Sequence, residues 1–153
     1  MDPLDLTMAP PRSPYETLLG LYMLPRTIDK MRGAIKGGHL GAYSIEGTVP
    51  GLPGLSLILL QGIKIKPEDF QALIAAASCE DDVMEWLRQH ADLSDIDALN
   101  RRLIGRCLAD IEAKVPRERL MQTYPFVDSW PKDAPTFDIV VQDDREMFPE
   151  LTD

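Results

Sequence analysis

The chain is poor in the side chains that usually announce chemistry. Only two histidines, His39 and His90, occur in 153 residues, so a histidine-rich metal site is excluded. Only two cysteines, Cys79 and Cys107, are present, far apart and each among apolar neighbours in a helical pattern. Such cysteines behave as small hydrophobes, and the pair fits a reducing compartment. Long hydrophobic runs are lacking too. The run Leu57–Leu60 with its neighbours Leu55 and Ser56 is far shorter than the roughly 20 apolar residues that a bilayer crossing needs. The first residues are acidic and interrupted by proline, unlike a secretory leader. A cytoplasmic protein with no membrane association is expected. Excess base is also lacking: 25 acids stand against 16 bases, a net charge of −9, which argues against phosphate neutralisation and so against nucleic acid. No phosphate-binding glycine loop, dinucleotide fingerprint, zinc spacing or nucleophile elbow is found, and no metal or cofactor is expected.

What is present is a 44% hydrophobic chain able to build a core without metal or disulfide help. The patterning predicts an all-α, compact multi-helix domain spanning 1–153. Residues 1–14, with prolines at 3, 10, 11 and 14, read as an extended arm. Residues 15–124 read as the helical body, and 125–153 as an acidic, partly irregular tail docked on it. Tyr15 to Met23 suggests a short helix or turn. Leu24, Ile28, Met31 and Ile35 recur at helical spacing behind Pro25, up to Gly37-Gly38. Residues 38–54 hold five glycines and two prolines and form the longest irregular stretch. Leu55–Gly62 reads as a helix, for want of a partner strand. Further helices are expected from Pro67, from a cap at Ser78 to about His90, and from a capping box at Ser94. In the last, Ile96, Leu99, Leu103, Leu108 and Ile111 make one long stripe until Pro116 starts a shorter helix to about Tyr124. Asp138–Val141 has strand propensity, but a lone strand is not stable, so it must dock or turn helical.

Charge is unevenly spread. Residues 12–39 carry five bases against two acids, whereas 128–153 carry eight acids against two bases. The basic segment could hold a small anion or receive the chain's own tail; the second needs no ligand. Within it, Arg26, Asp29 and Lys30 share a helix face at spacings of three and four. His39 and Tyr43 follow in the glycine-rich loop. With Arg12 and Tyr15 these residues make the candidate site: Arg12, Arg26 and Lys30 to hold an anion, Asp29 and His39 to move a proton, Tyr15 and Tyr43 to donate hydrogen bonds. The bland alternative is a solvated ion-pair network, a histidine interacting with helix-end carbonyls, and half-buried tyrosines.

Arg12-Ser13-Pro14-Tyr15-Glu16, Leu24-Pro25-Arg26-Thr27-Ile28-Asp29-Lys30 and Leu40-Gly41-Ala42-Tyr43 resemble a bacterial family, the domain of unknown function 5069. The similarity continues through Glu68-Asp69-Phe70, Val83–Leu87 and Leu99–Leu103, and more loosely from Thr136 to Glu146. This chain departs from it at Gly47–Gly54, where relatives often carry an acidic, leucine-rich segment. The resemblance implies a small helical fold and carries no settled activity from which a catalytic assignment could be transferred. Two functions are therefore expected as alternatives. One is a small-molecule-binding domain, extending to a cofactor-independent enzyme that uses acid–base chemistry on an anionic substrate. The other is a non-catalytic helical interaction module, and a homodimer is a third arrangement.

Overall fold

The computed structural model describes residues 1–151; the last two residues of the acidic tail lie outside the described residues. The described chain is helical, with one small β-ribbon. Strands β1 (Thr17–Leu18) and β2 (Leu21–Tyr22) pair antiparallel, Thr17 opposite Tyr22 and Leu18 opposite Leu21. This corrects both the purely helical class and the helix considered for Tyr15–Met23. Leu19 and Gly20 both have positive φ, +54° and +74°, which is the backbone of a tight hairpin turn.

Eight α-helices follow in order: α1 (Leu24–Ala34), α2 (Leu55–Gly62), α3 (Pro67–Ala76), α4 (Glu80–His90), α5 (Ile96–Ile104), α6 (Leu108–Glu112), α7 (Arg117–Thr123) and α8 (Thr136–Met147). A 3₁₀ turn, Pro125–Ser129, joins the last two. The long stripe expected from Ile96 to Ile111 is two helices. Leu103 and Leu108 are five residues apart, which one helix face cannot accommodate, and the chain turns through Gly105 before Cys107 caps α6. At α5 the cap is Asp95, which accepts from Ala98 N, while Ser94 is held in a local turn by Asp92. Cys79 occupies the N-cap position expected for Ser78.

Helix α1 is the axis of the fold. Every residue from Leu24 to Met31 is buried, the charged ones included, so Arg26, Asp29 and Lys30 are not a solvated face. Leu24, Ile28 and Met31 join α2–α5 in the larger apolar cluster, to which α8 adds Phe137. A second cluster gathers Val49, Leu108, Ile111, Val115, Leu120 and Val127, and α8 adds Ile139. Helix α8 thus bridges both clusters. Its start is fixed by backbone pairing: Leu108 N donates to Ala134 O and Thr136 N to Arg106 O, both at 2.9 Å. The segment 138–141 is accordingly helical.

The N-terminal residues are laid down on the body, with a turn at residues 6–8 that interrupts the extended arm expected for 1–14. Leu6 N donates to His39 O (2.8 Å), His39 N to Leu4 O (2.9 Å) and Leu4 N to Arg32 O (3.0 Å). Leu6 is buried over Gly33, where a Cβ would stand 3.1 Å from its Cδ1. Helix α1 stops at Ala34, before the two glycines that turn the chain back toward this arm.

Candidate functional site

A cavity of about 280 Å³ opens at the seam between the two apolar clusters. One wall is α1 (Met23, Arg26, Lys30), a second is the irregular loop from Ala42 to Leu55, and a third is α8 (Thr136, Ile139, Val140, Asp143, Met147). Arg106, Ile111, Thr123 and Tyr124 complete it. The lining is mainly apolar, with a few polar groups converging, the usual composition of a small-molecule site. The loop is folded on itself to serve as a wall. Gly54 N donates to Glu46 O at 2.7 Å, and Gly47, at φ +128°, approaches so closely that a Cβ there would meet Leu52 O at 2.7 Å.

Lys30 is the unusual member. Its residue exposure is 9%, and its Nζ donates to Ser44 O (3.1 Å) and Ser56 Oγ (3.4 Å). Among the described residues no carboxylate lies within ion-pair distance of it. Burial and then the nearby Arg26 charge lower its pKa to about 7, with Asp144 pulling the other way. Across the cavity wall, burial and the neighbouring Asp144 raise Asp143 to about 6. Burial also raises the Tyr124 hydroxyl. Two groups that would ordinarily titrate far apart are thereby drawn toward neutrality.

Arg26 is anchored rather than free. Its Nη1 and Nη2 donate to Asp144 Oδ2 (2.7 Å) and Oδ1 (3.0 Å), a bidentate pair almost completely buried. Tyr43 donates its hydroxyl to Asp144 Oδ1 at 2.8 Å, and its ring lies 5.4 Å from the Arg26 guanidinium carbon. Burial and the Asp144 charge hold the Tyr43 hydroxyl well above its ordinary value. Two polar atoms of cavity-lining residues, Arg26 Nε and Thr136 Oγ1, are buried without a hydrogen-bond partner among the described residues. Unsatisfied buried polar groups of this kind are costly to the fold.

Of the seven residues singled out in the sequence, Arg26, Lys30 and Tyr43 line this cavity. Arg12 and Asp29 sit behind it as an ion pair: Arg12 Nε donates to Asp29 Oδ2 and Nη2 to Asp29 Oδ1, both at 3.0 Å, and Nη2 also reaches Glu80. Burial opposes the Arg12 charge, yet its hydrogen bonds to Asp29 and Glu80 hold its pKa above the ordinary value. Tyr15 is at the surface, bonded to Asp138 of α8 and edge-on to Phe137 at 5.1 Å. Its partial burial and that bond push its hydroxyl up to about 12. His39 is exposed beyond the end of α1, its Nδ1 accepting from Gly41 N. The structure does not bring Asp29, Tyr15 or His39 into the cavity. Asp143, Tyr124 and Arg106 were not singled out as site residues, because nothing local in the sequence marks them: they acquire their surroundings from packing.

The model for the family described as Domain of unknown function (DUF5069) matches residues 8–126. The chain belongs to that family. The matched span includes α1, the loop and α7, whereas α8, with Asp143 and Asp144, lies beyond it. Among curated proteins none matches the chain.

Proposed function

We propose that the cavity binds a small, mostly apolar molecule with a carboxylate or comparable anionic head, and that Lys30 and Asp143 serve as proton-transfer groups toward it. The observation that carries this reading is Lys30: a buried amine in a cavity wall, held by two neutral oxygens and, among the described residues, by no carboxylate. Burying a lysine without a counter-ion is expensive, and an anion delivered to the cavity would relieve the expense. Val49, Leu52, Ile111 and Ile139 would surround the apolar body. General acid–base catalysis works best with groups whose pKa lies near the working pH, which suits Lys30 and Asp143. Arg12 and Asp29 would then support α1 from behind.

Phenylacetate and its uncharged counterpart 2-phenylethanol test this directly. Backbone-amide NMR spectra should show phenylacetate perturbing residues 42–55, the Arg26–Lys30 turn and α8. Its affinity should exceed that of the alcohol by about ten-fold or more, and Lys30→Met should remove the difference, about 1.4 kcal/mol. Perturbations scattered over the surface, or equal affinity for acid and alcohol, would overturn the reading.

A further inference from the structure

The chain has six lysines, and five of them (Lys36, Lys64, Lys66, Lys114 and Lys132) are exposed. Lys30 alone is buried, and it lines a cavity whose walls also carry two proton donors, the Asp143 carboxyl and the Tyr124 hydroxyl. An ammonium salt-bridged to a carboxylate is a poor nucleophile because the pairing keeps it protonated. Lys30 has no such partner among the described residues; its neighbours are the Ser44 carbonyl, which can only accept, and the Ser56 hydroxyl. Desolvated lysines of this kind are the ones that form covalent intermediates with carbonyl compounds.

We propose that Lys30 is a nucleophile that forms a Schiff base with an aldehyde or ketone held in the cavity. The inference rests on the cavity being a ligand site and names the chemical class of what it takes: a carbonyl compound with an apolar body. In the step, the Nζ lone pair forms a C–N bond to the carbonyl carbon, and the C=O π pair moves to oxygen, which takes a proton. The nitrogen then loses a proton, and its lone pair closes the C=N bond as the C–O bond breaks. Oxygen leaves as water after taking a second proton, and the iminium releases its remaining N–H proton to give the imine. One imine and one water replace one amine and one carbonyl, with no oxidant or reductant required. Asp143 and Tyr124 are the cavity groups able to hand protons to the departing oxygen. Once formed, the imine draws electrons from the adjacent carbon, and Asp143 is available to remove a proton there.

Burial, Arg26 on its own helix and Asp144 on α8 set the protonation of Lys30, and the other titratable groups lining the cavity are Asp143 on α8, Tyr43 on the loop, Tyr124 after α7 and Arg106 before α6. The neutral amine fraction should therefore rise through a midpoint near 7.

The test is reductive trapping of the intact protein. Phenylpyruvate and phenylacetaldehyde are each incubated with the protein and sodium cyanoborohydride at several pH values, and the adducts are located by peptide mass spectrometry. A single adduct on Lys30 is expected with at least one probe, about ten-fold above any exposed lysine, with a half-maximal rate near neutral pH. It should disappear in both Lys30→Met and Lys30→Arg, and phenylacetate should compete with it. Labelling spread over the exposed lysines, with no preference for Lys30 from either probe, overturns the proposal. If phenylacetate still occupies the cavity in that case, the Schiff base alone is refuted. If phenylacetate fails to bind as well, the ligand-site reading falls with it.

Discussion

At the scale of a residue, Lys30 costs the fold stability. An unfolded lysine holds its proton up to about pH 10.4, whereas the folded one releases it near 7. Between those values the unfolded chain binds more protons, so stability rises with pH across that window, and the penalty is full below it. Replacing Lys30 by methionine, of similar length and without charge, removes the penalty. Lys30→Met should be more stable than the natural protein by on the order of 2 kcal/mol or more at about pH 6, and the gap should close toward about pH 10. Urea unfolding across this range measures it; parallel stability curves would contradict the assigned burial. Asp143 has the opposite sign. Its folded pKa is raised, so its contribution is favourable below 3.8 and is lost as pH climbs through about 6. Two opposed penalties in one cavity wall are a poor design for stability alone. They suit a site.

At the scale of an element, the decisive contact is α8 on α1. The Arg26–Asp144 pair joins residues 118 positions apart, buried and shared with Tyr43. Removing one partner strands a buried charge, so Asp144→Ala should cost about 3–5 kcal/mol. The double replacement Arg26→Met, Asp144→Leu should recover much of that loss, because a buried pair contributes little over apolar side chains of similar volume. Equilibrium unfolding of both variants decides it, and a loss in the double variant as large as that of Asp144→Ala would contradict the account. The element scale is also where sequence reading did best and worst. Helices opened by Pro25 and Pro67, and the one running to His90, were legible because proline, apolar spacing and acidic first turns are local signals. The hairpin at Leu19-Gly20 was not, since two-residue strands carry no periodicity. The break at Gly105 was readable in principle from the five-residue step between Leu103 and Leu108, which a stripe drawn by eye overlooks.

At the scale of the molecule, the uneven charge distribution acquires a physical meaning. The basic N-terminal segment and the acidic C-terminal one meet: Asp144 binds Arg26, and Asp138 binds Tyr15. Half of the candidate site was legible, because Arg26, Lys30 and Tyr43 are close in sequence and sit on α1 or the loop that follows it. The other half was not, because Asp143, Tyr124 and Arg106 reach the cavity only when α6, α7 and α8 assemble the second apolar cluster. His39 shows the converse error: proximity in sequence put it with Tyr43, but pairing with the arm draws it to the surface. Burial of a charged face on α1 depends on both ends of the chain covering it, and no local pattern encodes that.

The account stands on Lys30 being a buried amine that faces a ligand cavity, and its titration can be observed directly with carbon-labelled lysine by NMR. In the free protein one lysine should titrate with a midpoint near 7, be assigned to Lys30 by its absence in Lys30→Met, and move to higher pH when phenylacetate is bound. All six lysines titrating together in the ordinary range near about pH 10.4, indifferent to phenylacetate, would contradict it.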